Sequence, residues 1–394
     1  MRSRATSPLQ GEAGPRRRFA IVGIAHPMRG GIAQYTAILA RELSRRHEVK
    51  LVSYTRQYPS LLFPGKSQLD TSESPVRYPA TPLVDSIGPW SWERAARHIA
   101  SFDPDALVYK YWMPFFAPSL GTIAGRVKRL AGRGRPRTIM VVDNLIPHER
   151  RPGDLMLTRW LMRRTDAYIV QSAAVGKDLL ALDPSARFLE VPHPLYNVFG
   201  ERLPKEEARR RLGLAPDRPV LLFFGFVRAY KGLDLLIRAL PQVRRRIDAT
   251  LLVAGEFYEG REDTVRLVAS LGLSEVVQLR DDYLPDERVA EVFSAADVVV
   301  LPYRSATQSG IVQIAYQLER PVICTGVGGL TEVVLDGRTG LVVPPGEPDA
   351  LASAIVRYYE EQLEEPFTQG VRAEKAKYGW DPMVRAIEEL SAPA

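Results

Sequence analysis

Short apolar runs of Val, Ile and Leu alternate with longer amphipathic stretches along almost the whole chain. The first run, residues 19–24, is followed by a Gly-Gly turn and by a helical pattern over residues 32–45. Further runs predict buried strands at 48–54, 106–110, 138–142, 167–171, 187–191, 219–224, 249–254, 276–280, 298–301, 321–324 and 340–343. Strands separated by helices indicate right-handed βαβ units and parallel sheets.

The alternation is interrupted once, at residues 191–195, where two prolines stop regular structure. A chain of 394 residues is also long enough for two domains. We therefore predict an α/β protein with two Rossmann-like, doubly wound domains that face each other across a cleft. The predicted parts are a disordered lead-in (1–17), an N-terminal domain (18–195), a C-terminal domain (196–372) and a helix that packs back on the N-terminal domain (373–394).

Composition excludes several classes of protein. The chain is 45% hydrophobic and 25% charged, which is typical of a globular protein rather than a disordered or fibrous one. Its only cysteine, Cys324, excludes a disulfide framework and a multi-cysteine metal site. No apolar run reaches the roughly 18 residues of a membrane-spanning helix, and residues 1–18 lack the apolar core of a secretory signal. These features predict a cytoplasmic protein.

The net charge of +7 is unevenly distributed. Residues 1–200 carry 29 Lys and Arg against 16 Asp and Glu, whereas residues 201–394 carry 24 against 30. A basic half predicts an anionic partner, which could be nucleic acid, a membrane surface or a phosphorylated substrate. A merely solvated basic surface explains the charge equally well. Because no nucleic-acid-binding signature accompanies it, a nucleic-acid partner is not expected.

The most informative segment follows the predicted strand at 219–224. Gly225 allows a ligand to approach the backbone, and Arg228 and Lys231 follow three residues apart, just before a helix. Two cations beside a helix start at the carboxyl end of a strand suit a diphosphate. The alternative is a solvent-exposed basic turn.

Two further strand ends in this half are suited to anions. After the strand at 298–301, Ser309 and Gly310 would present backbone N–H groups at a helix start, although plain capping by Thr307 or Ser309 is the alternative. After the strand at 321–324, a glycine-rich turn leads to Glu332, which alone is more typical of a helix start than of a ligand. Three such strand ends in one half favour a phosphate site.

The first half offers candidates on the acceptor side. Gly30 and Gly31 begin the helix after the first strand, and His26 lies at the same strand end. Four polar residues follow the strand at 138–142 and indicate either a substrate rim or a capped turn: Asp143, Asn144, His148 and Glu149.

These motifs resemble glycosyltransferase family 4, of the retaining GT-B superfamily. The resemblance is carried by Gly30-Gly31, by Gly225 with Arg228 and Lys231, by the strand end at 301–302, and by Arg320-Pro321-Val322 before Gly328-Gly329 and Glu332. It implies a GT-B fold, a nucleotide diphosphate sugar as co-substrate, retention of configuration, and no metal or other cofactor. Arg228 and Lys231 would be catalytic.

The resemblance also implies donor contacts, and it has departures. The expected donor-binding residues are Gly30, Gly31, Gly225, Gln308, Ser309, Gly310, Ile311, Gln313 and Glu332. The two glutamates that the family usually carries eight positions apart correspond to Ala306 and Ile314, and the usual arginine after the strand-end glycine is Phe226. This chain is therefore identified with a branch that lacks the paired glutamates.

The expected function is transfer of a hexosyl group to a glycan or lipid-linked acceptor, in polysaccharide or glycolipid biosynthesis. A peripheral position on the inner face of the membrane is expected from a basic cluster (Arg126, Lys128, Arg129 and Arg133) and from the apolar and cationic stretch around Trp160. Packing of that stretch on its own sheet is equally compatible. Two alternatives remain open: a sugar-nucleotide epimerase using Asp143, Glu149 and Glu256, and a catalytically silent glycan-assembly partner.

Overall fold

The computed structural model describes residues 15–59, 63, 65–132, 134–146 and 151–392, which form two α/β domains. The strands are β1 (Arg18–Val22), β2 (Glu48–Arg56), β3 (Ala80–Asp85), β4 (Ala106–Tyr111), β5 (Arg137–Val142), β6 (Ala167–Val170), β7 (Phe188–Glu190), β8 (Val220–Phe224), β9 (Thr250–Ala254), β10 (Val277–Arg280), β11 (Val298–Leu301), β12 (Val322–Thr325) and β13 (Gly340–Val343). The helices are α1 (Gly31–Ser44), α2 (Pro89–Ala100), α3 (Ala117–Leu130), α4 (Asp154–Met162), α5 (Ala173–Leu182), α6 (Lys205–Leu212), α7 (Leu233–Arg244), α8 (Arg261–Ser270), α9 (Asp286–Ala295), α10 (Gly310–Gln317), α11 (Leu330–Val333), α12 (Pro348–Glu360), α13 (Glu364–Lys375) and α14 (Asp381–Ser391).

Both sheets are parallel and doubly wound. The N-terminal sheet has the order β3-β2-β1-β4-β5-β6-β7, and the C-terminal sheet has the order β10-β9-β8-β11-β12-β13. In each sheet the first strand of the domain is an interior strand. Strands are added first on one side of it and then on the other, so the strand order reverses between β1 and β4 and between β8 and β11. Ligands bind at such reversal points, beyond the carboxyl ends of the strands. The predicted fold class is confirmed.

The central strands are buried because helices cover both faces of each sheet. Every residue of β8 and β11 is buried, which explains why these strands appear in the sequence as continuous apolar runs rather than as alternating ones. Because each Å² of buried apolar surface stabilises the folded state by about 25 cal/mol, these strands contribute much of the hydrophobic stabilisation.

Strand β3 was missed by the sequence pattern. Its sequence contains Pro82, which removes a backbone donor, and half of its residues are polar or small. The structure accommodates it because β3 is the edge strand and pairs only with β2. An edge strand needs neither a continuous apolar run nor a full set of backbone donors.

The chain crosses between the domains twice, and the two crossings are bonded to each other. The Leu195 amide donates to the Tyr378 carbonyl at 2.9 Å, and Trp380 Nε1 donates to the Leu195 carbonyl at 2.9 Å. Helix α13 ends before the second crossing. Residue 373, where the predicted C-terminal segment begins, therefore lies inside this helix of the C-terminal domain.

Helix α14 packs on the N-terminal domain after the second crossing. Arg46 pairs with Asp381, and His47 Nε2 lies 2.8 Å from Glu388 Oε1. Arg17 donates to the Glu388 carbonyl at 2.6 Å, so this part of the expected lead-in joins the fold, whereas residues 1–14 lie outside the described residues. None of the described helices is long and apolar enough to span a membrane.

Candidate active site between the two domains

The strand ends of the two domains meet in the cleft. Arg29, after β1, forms a buried ion pair with Glu256, after β9. Ser172 Oγ, after β6, donates to the carbonyl of Thr307, after β11, at 3.0 Å. These contacts place the carboxyl edges of both sheets face to face, as the sequence predicted for a ligand cleft.

A second contact closes the cleft near helix α9. Gln34 Nε2 of α1 donates to Asp286 Oδ1 at 2.5 Å, and the Asp286 amide donates to Ser72 Oγ at 2.9 Å. Burial, with the nearby Asp70 carboxylate adding to the effect, raises the pKa of Asp286 to about 6. Its second oxygen is buried without a partner among the described residues.

Gly225 lies where Lys231 and helix α10 meet. Its φ of +93° is in the region that favours glycine, and a side chain there would place its Cβ 3.0 Å from Lys231 Nζ and 3.2 Å from Ile311 Cδ1. Two of the predicted donor-binding residues, Gly225 and Ile311, are therefore next to the Lys231 cation. A side chain at position 225 would have to displace the Lys231 ammonium group and the Ile311 side chain.

Lys231 is a buried cation at the carboxyl end of β8. Only 8% of the residue is exposed, and Nζ lies 5.9 Å from the centroid of the Tyr303 ring. Burial, with the positive charge of Arg228 adding to the effect, lowers the pKa of Lys231 to about 8. Among the described residues no carboxylate pairs with it. A buried cation of this kind is suited to an anionic ligand.

Arg228 is half-buried beside Lys231. Its guanidinium lies 5.9 Å from the centroid of the Tyr230 ring, and its carbonyl accepts the Lys231 amide at 3.0 Å. The short turn Ala229–Lys231 thus holds the two cations of the predicted motif on one strand end.

Helices α1 and α10 begin on either side of Tyr196. A Cβ on Gly31 would lie 3.1 Å from Tyr196 Oη, and a Cβ on Gly310 would lie 3.1 Å from Tyr196 Cε2. Neither helix has an acidic residue in its first turn, and Ser309 Oγ caps α10 by accepting the Ile311 amide at 3.3 Å. Two positive helix ends from different domains therefore converge.

Polar atoms without partners surround this convergence. The side-chain oxygens of Gln308 and Gln313 and the Tyr303 hydroxyl are buried, and none has a hydrogen-bond partner among the described residues. Gln313 is 1% exposed. Because a buried orphan polar atom costs free energy, these three atoms are candidates for ligand contacts.

Neither position of the two usual glutamates carries a side chain that could hydrogen-bond a ligand. Ile314 is buried in the hydrophobic core, and the Ala306 carbonyl packs so closely against Gly328 that a Cβ there would overlap it. Phe226, in place of the usual arginine, stacks on Tyr258 with ring centroids 4.5 Å apart, and the Arg29 guanidinium lies 5.6 Å from its ring. Arg29, from the other domain, thus brings a guanidinium to this region.

Glu332 contacts the opposite domain. Its Oε2 accepts the Ala173 amide at 2.9 Å at the start of α5. Its carboxylate therefore lies at a positive helix terminus and links the two domains.

The structure places the acceptor-side candidates in different surroundings. Asp143 forms a buried ion pair with Lys110, and Asn144 Oδ1 is buried without a described partner. His26 is half-buried near Arg77 and Asp70, and burial and the Arg77 charge lower its pKa. His148 and Glu149 lie outside the described residues.

Sequence reasoning missed several residues of the cleft: Arg29, Lys110, Gln171, His193 and Tyr196. Only Arg29 and Tyr196 carried a local signal, since Arg29 precedes Gly30 and Tyr196 follows the Pro-His-Pro break. Glu256 was named only for the epimerase alternative. In the described part of the chain, no group of three His, Cys, Asp or Glu side chains is placed to hold a metal ion.

Two family matches cover most of both domains. Residues 29–194 match the family described as Glycosyltransferase Family 4, and residues 218–361 match the one described as Glycosyl transferases group 1. A GDP-mannose-dependent alpha-(1-6)-phosphatidylinositol monomannoside mannosyltransferase of Mycolicibacterium smegmatis is 31% identical over 84% of this chain and 85% of its own length. An alpha-D-kanosaminyltransferase of Streptomyces kanamyceticus is 31% identical over 48% of this chain and 46% of its own.

Solved structures share the fold at low sequence identity. Sucrose-phosphate synthase from Thermosynechococcus elongatus has a TM-score of 0.73 at 19% identity, covering 95% of this chain and 98% of its own. Anabaena HepE in complex with UDP and glucose has a TM-score of 0.71 at 17% identity, covering 95% and 99%. With this fold and a full-length relative, the chain belongs to glycosyltransferase family 4 and is a transferase of GT-B fold.

Proposed function

We propose that this glycosyltransferase moves a hexosyl group from a nucleotide diphosphate sugar to a glycan or lipid-linked acceptor, with retention of configuration and without a metal ion. One observation carries the proposal. Lys231 Nζ and the start of α10 meet at Gly225, and the start of α1 faces them across Tyr196. Two helix ends and a buried lysine, with Arg228 beside it, supply the positive charge that a diphosphate needs.

The chemistry follows from where that charge lies. As the bond between the sugar C1 and the diphosphate oxygen breaks, negative charge grows on the leaving diphosphate, and preorganised cations stabilise it in place of a metal ion. The acceptor oxygen forms its bond to C1 on the same face, and its proton passes to the leaving phosphate oxygen. No side chain of the protein is needed as a nucleophile in this scheme.

Binding measurements can identify the nucleotide of the donor sugar. The Mycolicibacterium relative is named as GDP-mannose-dependent, whereas HepE was solved with UDP and glucose. Binding of UDP, GDP and ADP should therefore be compared side by side by calorimetry. The matching nucleotide hexoses are then incubated with candidate glycan and lipid acceptors, and the product anomer is assigned by NMR.

The same assay separates the alternatives. An epimer formed from donor alone would support the epimerase, and nucleotide binding without transfer to any acceptor would support a silent partner. Transfer with inversion would contradict the scheme above.

The basic half contributes a surface for an anionic membrane. On α4, Met156 and Arg159 are exposed, and so is Arg163, which caps the end of the helix; positions three and seven apart share one helix face. We place the interfacial contact there. Of the predicted basic cluster, Lys128 is 5% exposed and pairs with Asp166, so it does not reach a membrane surface, and Arg133 lies outside the described residues. The half-buried Trp160 ring packs on Gly121 of α3.

A further inference from the structure

A second ion pair lies at the cleft edge of the N-terminal sheet. Lys110 on β4 pairs with Asp143 directly after β5, and their side chains are only 5% and 13% exposed. The strands lie side by side, and the Asp143 amide donates to the Tyr111 carbonyl at 2.9 Å. Backbone pairing therefore sets Asp143 at the carboxyl edge of the sheet.

The groups that face the pair are neutral. Lys110 Nζ lies 3.4 Å from the centroid of the Tyr35 ring of α1, and Tyr35 Oη accepts from Gln171 Nε2 at 3.1 Å. Burial lowers the pKa of His193 to about 3, with the Lys110 charge adding to the effect, so the imidazole is uncharged. Burial, with the Asp143 charge adding to it, raises the pKa of Tyr35 and of Tyr196. Near neutral pH, Lys110 is thus the one described cation opposite Asp143.

The edge presents oxygens that lack donors. Lys110 Nζ donates a hydrogen bond to Asp143 Oδ1, and no described residue donates to Asp143 Oδ2. The side-chain oxygens of Asn144 and Gln171, on the same edge, are buried without a partner. Tyr196 connects this edge to the helix starts, because its hydroxyl donates to the Gly31 carbonyl at 3.2 Å. Unsatisfied acceptors beside the diphosphate region favour a ligand that brings hydroxyl donors.

We propose that Asp143 Oδ2 accepts a hydrogen bond from a hydroxyl group of the acceptor, and that Lys110 is the positioning residue that keeps Asp143 ionised and directed into the cleft. This inference rests on the function proposed above. The acceptor group expected at this edge is an uncharged hydroxyl. A phosphate would be repelled by the Asp143 carboxylate, and Lys110 is already paired with that carboxylate.

The physical reason for Lys110 is the cost of a buried charge. Burial raises the pKa of Asp143 and lowers that of Lys110, and the charge and hydrogen bond that each residue offers the other oppose these shifts. Without Lys110 the carboxyl would hold its proton at neutral pH and would no longer accept the hydroxyl in the same way. Raising the pH would ionise it and restore the interaction.

The test is the pH profile of kcat/KM for the acceptor, with a nucleotide sugar at saturation. Asp143→Asn should lower kcat/KM by roughly 10–100-fold at all pH values, as expected for one hydrogen bond to a charged group. Lys110→Met should show a similar loss at pH 7 that recovers by pH 9. Lys110→Arg, which keeps the charge, should retain most of the activity. Binding of UDP or GDP should be unchanged in each variant.

The double variant Lys110→Met/Asp143→Asn keeps the test independent of folding, because it leaves no buried charge unpaired. Its kcat/KM should match that of Asp143→Asn alone, and a clear additional loss would show that Lys110 does not act through Asp143. Lys128→Met removes an equally buried lysine from a pair far from the cleft edge, and its pH profile should match the wild type.

The proposed function and the role of the Lys110–Asp143 pair would be refuted by different results. Wild-type protein that transfers sugar to no acceptor would refute the proposed function. Wild-type transfer with an unchanged pH profile in Lys110→Met, or full activity in Asp143→Asn, would refute the role of the pair alone.

Discussion

Gly31 and Gly310 begin helices in different domains, and both lie against the ring of Tyr196. The two helices are 279 positions apart in the chain, yet their positive ends converge on one aromatic side chain from the linker between the domains. A side chain larger than hydrogen at either glycine would press on Tyr196. The linker therefore helps to shape the proposed diphosphate site as well as connecting the domains.

Loss of either cation after β8 should slow transfer. We expect Lys231→Ala and Arg228→Ala each to lower kcat by roughly 10²–10³-fold, the effect of removing one group that stabilises developing charge. The fold should survive because both residues lie at a strand end in the cleft. Steady-state kinetics with circular dichroism checks this, and Arg238→Ala, an exposed arginine on α7, serves as the control. Wild-type rates in both variants would overturn the assignment.

Nucleotide affinity should depend on the charge of Lys231. Because its pKa is lowered to about 8, the free enzyme loses this cation as the pH rises from 7 to 9, and diphosphate binding should weaken over that range. Binding at pH 8 should be accompanied by proton uptake, measured by calorimetry in two buffers with different ionisation enthalpies. In Lys231→Arg the proton uptake should disappear, since a guanidinium stays charged. Wild-type affinity that is constant between pH 7 and 9 would contradict the prediction.

Removal of metal ions should leave transfer intact. Lys231, Arg228 and the two helix ends provide the charge that a divalent ion would otherwise supply at the diphosphate. We expect equal initial rates before and after dialysis against a chelator. Loss of activity that magnesium or manganese restores would refute metal independence.

Membrane binding should depend on the exposed face of α4. Arg159→Ser/Arg163→Ser should strongly reduce sedimentation with vesicles containing anionic lipid, since each basic residue near such a surface contributes about 1 kcal/mol. Added salt should weaken wild-type binding, because screening acts over about 8 Å at physiological ionic strength. Met156→Ser tests the apolar contribution separately.

A matched control removes two charges from the other half of the chain. Arg210→Ser/Arg266→Ser changes exposed arginines of the C-terminal domain and should bind vesicles as wild type does. If the α4 variant also sediments like wild type, the basic face is only solvated, and a glycan acceptor that is not membrane-bound becomes the better hypothesis.

Asp286→Asn should stabilise the protein at neutral pH. The pKa of Asp286 is raised to about 6 in the folded protein, against 3.8 for an ordinary aspartate, so the folded state holds this proton more tightly than the unfolded state. Its favourable contribution is complete below about pH 4 and is lost as the pH rises through 6. Asn keeps the acceptor for Gln34 and carries no charge. The free energy of unfolding should rise by about 1–2 kcal/mol at pH 7.5, with no gain near pH 4. Urea unfolding at both pH values checks this, and no gain at pH 7.5 would contradict it.

Much of the fold was readable from the chain because local periodicity determines it. Buried parallel strands must be continuous apolar runs, so β8 and β11 were predicted at nearly their observed bounds. Strand β3 was missed because an edge strand tolerates Pro82 and polar residues. The strand-end motif of Gly225, Arg228 and Lys231 was likewise local, since a single turn brings its members together.

The partners across the cleft could not be predicted in this way. Arg29 and Glu256 are separated by 227 positions, and nothing near either residue in the chain identifies the other. Lys110 and Lys128 resemble surface cations in the sequence, yet each is buried in an ion pair with a carboxylate from a distant segment. Local sequence was enough to predict the strands, their parallel arrangement and the cations at one strand end, because backbone geometry and hydrophobic burial act over a few residues. The tertiary structure alone decided which charges face the cleft and which are neutralised inside a domain, because that depends on how the two sheets and the linker pack together.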